Sequence, residues 1–143
     1  MSPIPKPAAL SDLATLLLAN DGSLPPVTNA LLAREPPRFS VGAGPRGGKF
    51  TDTIGDAVDW VLHLDGTCVP IQGPPGTGKT WTGARLIHAL VMAGRRVGMT
   101  AMSHAAMDNL LAQALDVFVK AGDLALLRGA RHGAQASTPV SSA

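Results

Sequence analysis

Residues 73–80 have the composition and spacing of a loop that binds a phosphate chain. They read Gly-Pro-Pro-Gly-Thr-Gly-Lys-Thr and fit the pattern G-x-x-x-x-G-K-[ST] at every fixed position. Because Gly76 and Gly78 have no Cβ atoms, an anion can approach the backbone N–H groups of the loop closely. Lys79 supplies a positive charge for the β- and γ-phosphates, and Thr80 offers its hydroxyl to Mg²⁺. The predicted nucleotide site comprises Gly73, Pro74, Pro75, Gly76, Thr77, Gly78, Lys79, Thr80 and Trp81, with Lys79 and Thr80 as catalytic residues and Thr80 as the Mg²⁺ ligand.

A loop of this kind connects a buried strand to the start of a helix. The apolar run 68–71 predicts that strand. Apolar residues at helical spacing predict a helix over 79–93, and Gly94 is suited to end it. Both elements stand where the phosphate loop requires them.

A second strand–helix unit follows the first. Residues 96–100 predict a strand, Ser103 is suited to cap the next helix, and Gly122 is suited to end it. The run 124–127 predicts a third strand. Strands and helices alternating at this spacing predict an α/β fold, with a parallel sheet, right-handed crossovers and flanking helices.

Composition limits the class of protein. The 143 residues are 45% hydrophobic, which supports a buried core and excludes a chain that is disordered throughout. A net charge of +2 argues against nucleic-acid binding by bulk electrostatics, and an aromatic share of 3% argues against a platform of several stacked bases. The single Cys68 excludes an internal disulfide. No secretory signal or membrane span is recognisable, so we expect a soluble cytoplasmic protein.

Proline separates the chain into regions. Eight of the 12 prolines lie in residues 1–45, where they permit only short helices, capped by Ser11 and Thr28. Apolar residues at helical spacing predict a longer helix over 53–64. The predicted division is a Pro/Gly-rich linker with short helices (1–52), a region with the phosphate loop (53–130) and a disordered tail (131–143).

The start of the second predicted helix carries a further motif. Residues 99–111 read Met-Thr-Ala-Met-Ser-His-Ala-Ala-Met-Asp-Asn-Leu-Leu. This segment resembles motif Ia of superfamily 1 helicases of the DNA2/NAM7-like group, which has the form T-A-x-S-N/H-x-A-x-D-N-L-L after a G-P-P-G-T-G-K-T loop. The stretch 71–84, with Pro36-Pro37-Arg38 upstream, is similar to bacterial RecB-like nuclease–helicase fusion proteins. The specific resemblance covers residues 65–115.

The resemblance implies a RecA-like P-loop NTPase fold, with residues 53–130 as the N-terminal part of a RecA-like helicase ATP-binding domain. It implies ATP with Mg²⁺ as cofactor and single-stranded nucleic acid as partner, with DNA favoured over RNA. It implies that Ser103, His104 and Asn109 lie near the backbone of that strand. Free N–H groups at the helix N-terminus by Ser103 would suit a phosphate. The alternatives are that Ser103 is only a cap, His104 only a surface residue, and Asn109 only a solvated polar residue in the first turns of the helix. Asp108 would repel phosphate, so we place it outside the predicted interface.

The residues that hydrolysis needs in this class are not found after Lys79. ATP hydrolysis here uses an acid pair at a strand end and an arginine that neutralises charge in the transition state. The acids after Lys79 are Asp108, Asp116 and Asp123, and none belongs to an acid pair. We therefore interpret the chain as the N-terminal part of a first motor domain that ends after motif Ia, with the rest of the helicase as its partner.

Two other functions stay open at this point. A P-loop kinase acting on a small molecule would use the same loop, but it needs an acid near the end of the second strand, where Met99, Thr100 and Ala101 stand. A non-catalytic nucleotide-binding module would leave an exposed strand edge for a partner to complete. Phosphoryl transfer to nucleosides and metabolites would identify the kinase, and sedimentation of the chain would identify the module.

Overall fold

The computed structural model of the chain describes residues 6–19 and 24–129. This part of the chain forms α-helices joined by long irregular segments. The helices are α1 (Lys6–Leu18), α2 (Pro26–Leu32), α3 (Ile54–Val61), α4 (Lys79–Met92) and α5 (His104–Ala121). Two short 3-10 helices, Arg46–Gly48 and Leu124–Leu126, lie in the connections. The predicted tail at 131–143 lies outside the described residues.

The first two helices begin earlier than predicted. Ser11 lies inside α1, where its carbonyl accepts a hydrogen bond from Thr15 Oγ1 at 2.9 Å. α2 begins at Pro26, because proline has no N–H to satisfy and its fixed φ suits the first helical turn. Thr28 therefore lies inside α2. The prediction that Ser11 and Thr28 cap these helices is wrong.

α3 ends earlier than predicted because the chain reverses direction after Val61. The N–H of His63 donates to the carbonyl of Trp60 at 3.1 Å and closes the turn. Leu64 then pairs with Phe39 in an isolated antiparallel bridge. This bridge fastens the Gly-rich segment that precedes α3 to the end of the same helix.

The predicted parallel sheet is not confirmed. Residues 6–19 and 24–129 contain no β-strand, and the segments 68–71 and 96–100 are irregular. A parallel strand needs neighbouring strands and helices on both faces of its sheet to be stable. Pro70 further disfavours a strand at 68–71, because proline has no N–H to donate to a neighbouring strand. Helices therefore account for the regular structure of this part of the chain.

The prediction of a third strand at 124–127 is wrong. Gly122 ends α5 in the left-handed region at φ +78°, and the N–H of Asp123 returns to the carbonyl of Phe118 at 2.9 Å. The N–H of Leu126 then donates to the carbonyl of Asp123 at 2.9 Å. These local hydrogen bonds satisfy the backbone polar groups within a 3-10 turn. In a strand, the same groups would need hydrogen bonds to a neighbouring strand.

One buried cluster lies between α3 and α4. It comprises Ala57, Trp60, Val61 and Leu86. The ring of Trp60 is 5% exposed, and Phe50 meets it edge to face at a centroid distance of 5.3 Å. Phe39 approaches the same ring at 6.5 Å. The bridge at Phe39 thus places an aromatic side chain against the core beneath α4.

A second buried contact joins α4 to α5. Ala84 on α4 and Phe118 on α5 are fully buried, and Ala114 is 2% exposed. A Cβ atom added to Gly83 would lie 3.5 Å from Leu110 Cδ1, so the helices approach closely at this position. Small residues at the contact let α4 and α5 pack closely against each other.

The helix α1 exposes several leucine side chains. Leu10 is 64% exposed and Leu18 is 85% exposed. Despite this apolar surface, none of the helices in the described ranges is long and apolar enough to cross a membrane.

Candidate nucleotide site

The predicted phosphate loop runs directly into the N-terminus of α4. Gly76 and Gly78 have φ values of +86° and +77°, in the left-handed region that favours glycine. Cβ atoms built on these two residues would meet nothing within 4 Å. Gly78 is also the residue that caps α4, so the loop leaves an open space beside the positive end of a helix. An anion is the ligand that such a space attracts.

Gly73 lies close to the side chain of Thr77 across the turn. A Cβ atom there would lie 2.5 Å from Thr77 Oγ1, which is too close for any real contact. The Thr77 hydroxyl lies at that place because it donates a hydrogen bond to the carbonyl of Pro74 at 2.9 Å. The positions of Gly73 and Thr77 are thus sterically coupled across the turn.

The amine of Lys79 is held against its own loop. Lys79 Nζ donates to the carbonyl oxygens of Gly73 at 2.6 Å and Pro74 at 2.8 Å, and it lies 3.5 Å from Thr77 Oγ1. These contacts place the ammonium charge on the concave side of the turn. A phosphate oxygen entering the loop would exchange a neutral carbonyl partner for a charged one, which makes a stronger hydrogen bond.

Thr80 is the residue that could contribute to a metal site. It lies half-buried in the first turn of α4, and its hydroxyl is an oxygen ligand of the type that Mg²⁺ accepts. Among the residues that the structure describes, no group of three or more His, Cys, Asp and Glu side chains could hold a metal. A Mg²⁺ ion beside Thr80 would therefore have to take most of its ligands from phosphate and water.

Trp81 and Arg85 form a stacked pair beside the loop. The guanidinium carbon of Arg85 lies 3.4 Å from the centroid of the Trp81 ring, and its Nη1 donates to the carbonyl of Trp81 at 3.2 Å. Arg85 was not among the predicted site residues. The i, i+4 spacing of the two side chains on α4 was the signal that could have indicated it.

An open groove adjoins this pair between α3 and α4. Its volume is about 350 Å³, and it is lined by Ile54, Gly55, Val58, Asp59, Arg85, His88 and Ala89. Arg85 therefore borders both the Trp81 ring and the groove. The prediction from sequence did not include this surface, because it depends on how α3 packs against α4.

A short polar network stands at the start of α3. Thr53 Oγ1 donates to Asp56 Oδ2 at 2.9 Å, and Thr51 Oγ1 donates to the same oxygen. These hydrogen bonds stabilise the charged carboxylate and lower the pKa of Asp56 below its usual value of 3.8. The network fixes the entrance of α3, which forms one wall of the groove.

Ser103 caps α5, as predicted. Its side chain accepts a hydrogen bond from the N–H of Ala106 at 3.2 Å. His104 and Asn109 are exposed, as an interface requires. They are five residues apart, however, so their side chains project about 140° apart around the helix axis. The structure brings Ser103 and His104 together at the helix end and places Asn109 on a different side.

Comparison with known proteins identifies relatives of the chain. The family described as an AAA domain matches residues 53–143, more than half of the chain. The DNA replication ATP-dependent helicase/nuclease DNA2 of Saccharomyces cerevisiae is 43% identical over 56 residues. That alignment covers 39% of this chain and 4% of the yeast protein, so the chain spans a small part of this relative's length. No solved structure matches the chain significantly.

These matches confirm the resemblance to DNA2/NAM7-like superfamily 1 helicases that the motifs predicted. They agree with the expected helicase-type nucleotide-binding domain. The narrower similarity to bacterial RecB-like fusion proteins stays a prediction.

Proposed function

Because the chain belongs to the AAA domain family that matches residues 53–143, we propose that it binds Mg-ATP as part of an ATP-dependent helicase. In this proposal Gly73–Thr80 hold the phosphates, and the N-terminus of α5 contacts single-stranded nucleic acid, with DNA favoured over RNA. The family match favours this function over a small-molecule kinase, which would use the same loop for a different reaction. The proposal concerns binding of nucleotide and strand by these residues.

The position of the Lys79 amine carries the proposal. Lys79 Nζ lies within hydrogen-bonding distance of two loop carbonyls, and Gly76 and Gly78 leave the adjoining space open. Entering phosphate oxygens would accept hydrogen bonds from the backbone N–H groups of the loop and from this amine. Thr80 would hold Mg²⁺ through its hydroxyl, and the ion would offset the negative charge of the phosphates.

The packing of α5 against α4 supports a link between nucleotide and strand. The two helices pack against each other, with the His88 and Phe118 rings in contact, and Ala84, Ala114 and Phe118 are buried. The loop begins α4 and Ser103 begins α5, so a displacement of one helix N-terminus acts on the other through a close-packed contact. The first contact with the strand would come from the N–H groups at the start of α5, together with Ser103 and His104. Asn109, on another side of α5, would join it only if the strand passed around the helix end.

The parallel sheet is part of the proposal. Segments 68–71 and 96–100 each lead into a helix that carries a motif, α4 and α5 respectively. Pairing of these two segments as parallel strands would bring the phosphate loop and Ser103 to the same edge of a sheet. Amide hydrogen exchange would test this, because paired strands would protect Val69, Ile71 and the N–H groups of 96–100.

Nucleotide binding by the full chain tests the central point. We expect calorimetry with ATP and Mg²⁺ to detect binding that Lys79→Ala removes, because the variant loses the ammonium group that lies against the loop carbonyls. Lys49→Ala is the matched control, since Lys49, like Lys79, is an exposed lysine that directly follows a glycine. Circular dichroism would show that both variants keep their helices. Equal affinity of Lys79→Ala and the parent chain for ATP would refute the proposal.

A further inference from the structure

Trp81 is a tryptophan that does not belong to the buried core. The chain has two tryptophans, and Trp60 is 5% exposed whereas Trp81 is 45% exposed. Nearly half of the Trp81 surface is therefore open to contact with a ligand. Trp81 stands in the first turn of α4, directly after Lys79 and Thr80.

The indole ring is held in place by Arg85. The guanidinium lies 3.4 Å from the ring centroid, which is the geometry of a cation–π contact. Arg85 is itself fixed by the hydrogen bond from its Nη1 to the carbonyl of Trp81. Because Arg85 covers one face of the ring, the exposed area of Trp81 lies on the rest of the indole. A ring fixed in this way loses little conformational entropy when a planar ligand stacks on it.

From these contacts we infer that Trp81 stacks on the base of the bound nucleotide and makes the site select purines over pyrimidines. The inference rests on the proposed function, since the phosphates must occupy the neighbouring loop for the base to reach the ring. A purine presents a larger π surface than a pyrimidine and gains more from stacking on indole. Stacking does not read the hydrogen-bonding edge of a base, so adenine and guanine nucleotides bind alike. Arg85 is a positioning residue in this arrangement.

Competition between nucleotides measures this selection directly. The affinities of the full chain for ATP, GTP, CTP, UTP and inorganic tripolyphosphate are compared in the presence of Mg²⁺. We expect ATP and GTP to bind with similar affinity and both to exceed CTP and UTP. Tripolyphosphate reports on the loop alone, because it carries no base. Equal affinity for ATP and CTP would overturn the inference.

Substitution of Trp81 separates the base contact from the phosphate contact. We expect Trp81→Ala to lower the affinity for ATP and for GTP by about tenfold and to leave the affinity for tripolyphosphate unchanged. Trp81→Phe keeps an aromatic ring and should retain most of the affinity for ATP. Met92→Ala is the matched control, since Met92 is 44% exposed on the same helix. If Trp81→Ala binds ATP as tightly as the parent chain, the base does not stack on Trp81.

If the proposed function itself is wrong, the binding results differ from those expected when only the inference about Trp81 is wrong. In that case the parent chain would bind neither ATP nor tripolyphosphate, and Lys79→Ala would change nothing. If tripolyphosphate binds and depends on Lys79 while Trp81→Ala has no effect, the phosphate loop is correct and the inference about the base is wrong.

Fluorescence gives a readout that a merely structural role would not produce. Subtracting the emission of Trp81→Phe from that of the parent chain isolates the signal of Trp81. We expect ATP and GTP to quench that signal and tripolyphosphate to leave it unchanged, because quenching requires a stacked base. In Arg85→Ala, where the ring is no longer held, the anisotropy of the Trp81 signal should fall and ATP should bind more weakly. Quenching of the same size by tripolyphosphate would contradict the assignment.

Discussion

His88 Nε2 on α4 lies 2.8 Å from Asp123 Oδ2, just beyond the end of α5. The imidazole ring also meets the Phe118 ring edge to face, at a centroid distance of 4.7 Å. Both partners of the hydrogen bond are about three-quarters shielded from solvent. This pair therefore fastens the last turn of α5 to the middle of the helix that follows the phosphate loop.

We expect the His88–Asp123 pair to stabilise the folded chain measurably. A double-mutant cycle with His88→Ala, Asp123→Ala and the double variant should give a coupling energy of about 0.5–1.5 kcal/mol, because a shielded hydrogen bond is lost. Urea unfolding followed by circular dichroism measures each free energy. Asp116→Ala is the control, since Asp116 pairs with Lys120 on the exposed side of α5, where ion pairs contribute little. A coupling energy of zero would mean that the two side chains only happen to lie close together.

The ends of α4 and α5 were predictable from the sequence, unlike those of α1, α2 and α3. Lys79 begins α4 because the phosphate motif requires a helix there, and Gly94 follows its end with φ +74°. Ser103 and Gly122 bound α5 as predicted, since each acts through hydrogen bonds to residues a few positions away. Signals of this kind are local, so a single sequence contains them.

Contacts between distant segments were not predictable in the same way. His88 and Asp123 are 35 residues apart, and no pattern along the chain pairs them. The run 124–127 is apolar enough for a strand, yet the left-handed turn at Gly122 directs the next residues into a 3-10 helix. The role of an apolar run depends on which neighbours can satisfy its backbone, and that is a property of the assembled fold.

Substitution of Gly73 tests the coupling across the phosphate loop. In Gly73→Ala the new Cβ would lie 2.5 Å from Thr77 Oγ1, so the Thr77 side chain must move and lose its hydrogen bond to the Pro74 carbonyl, which also accepts from the Lys79 amine. We expect the affinity for ATP to fall by about tenfold or more while the helix content stays unchanged. Gly98→Ala is the control, because a Cβ there meets nothing within 4 Å. Parent-like ATP binding by Gly73→Ala would show that the loop adapts without loss.

The stability contributed by Asp56 should depend on pH in a defined direction. Hydrogen bonds from Thr51 and Thr53 lower the pKa of this carboxyl in the folded chain, so folding favours its charged form. A contribution of this sign is present above the ordinary pKa of 3.8 and is lost as the pH falls through the lower folded value. We expect the stability difference between the parent chain and Asp56→Asn to shrink on acidification from neutral pH to about pH 3.

Urea unfolding at several pH values measures this difference. Asp59→Asn, which removes a carboxylate from the same helix, controls for the change in total charge. A difference between the parent chain and Asp56→Asn that grows on acidification would show that the threonines do not favour the charged carboxylate.

Ser103 offers a way to separate helix capping from contact with nucleic acid. Ser103→Ala removes the acceptor for the Ala106 N–H and should cost about 1 kcal/mol of unfolding free energy. Ser103→Asp keeps a capping oxygen, so we expect stability close to that of the parent chain. The added negative charge would repel a phosphate at the same place, so Ser103→Asp should bind a fluorescein-labelled oligothymidylate more weakly than Ser103→Ala does. Gln113→Glu adds the same charge at an exposed position farther along α5 and should leave strand binding nearly unchanged. If strand affinity instead follows stability, so that Ser103→Ala is the weaker binder, Ser103 acts as a helix cap alone.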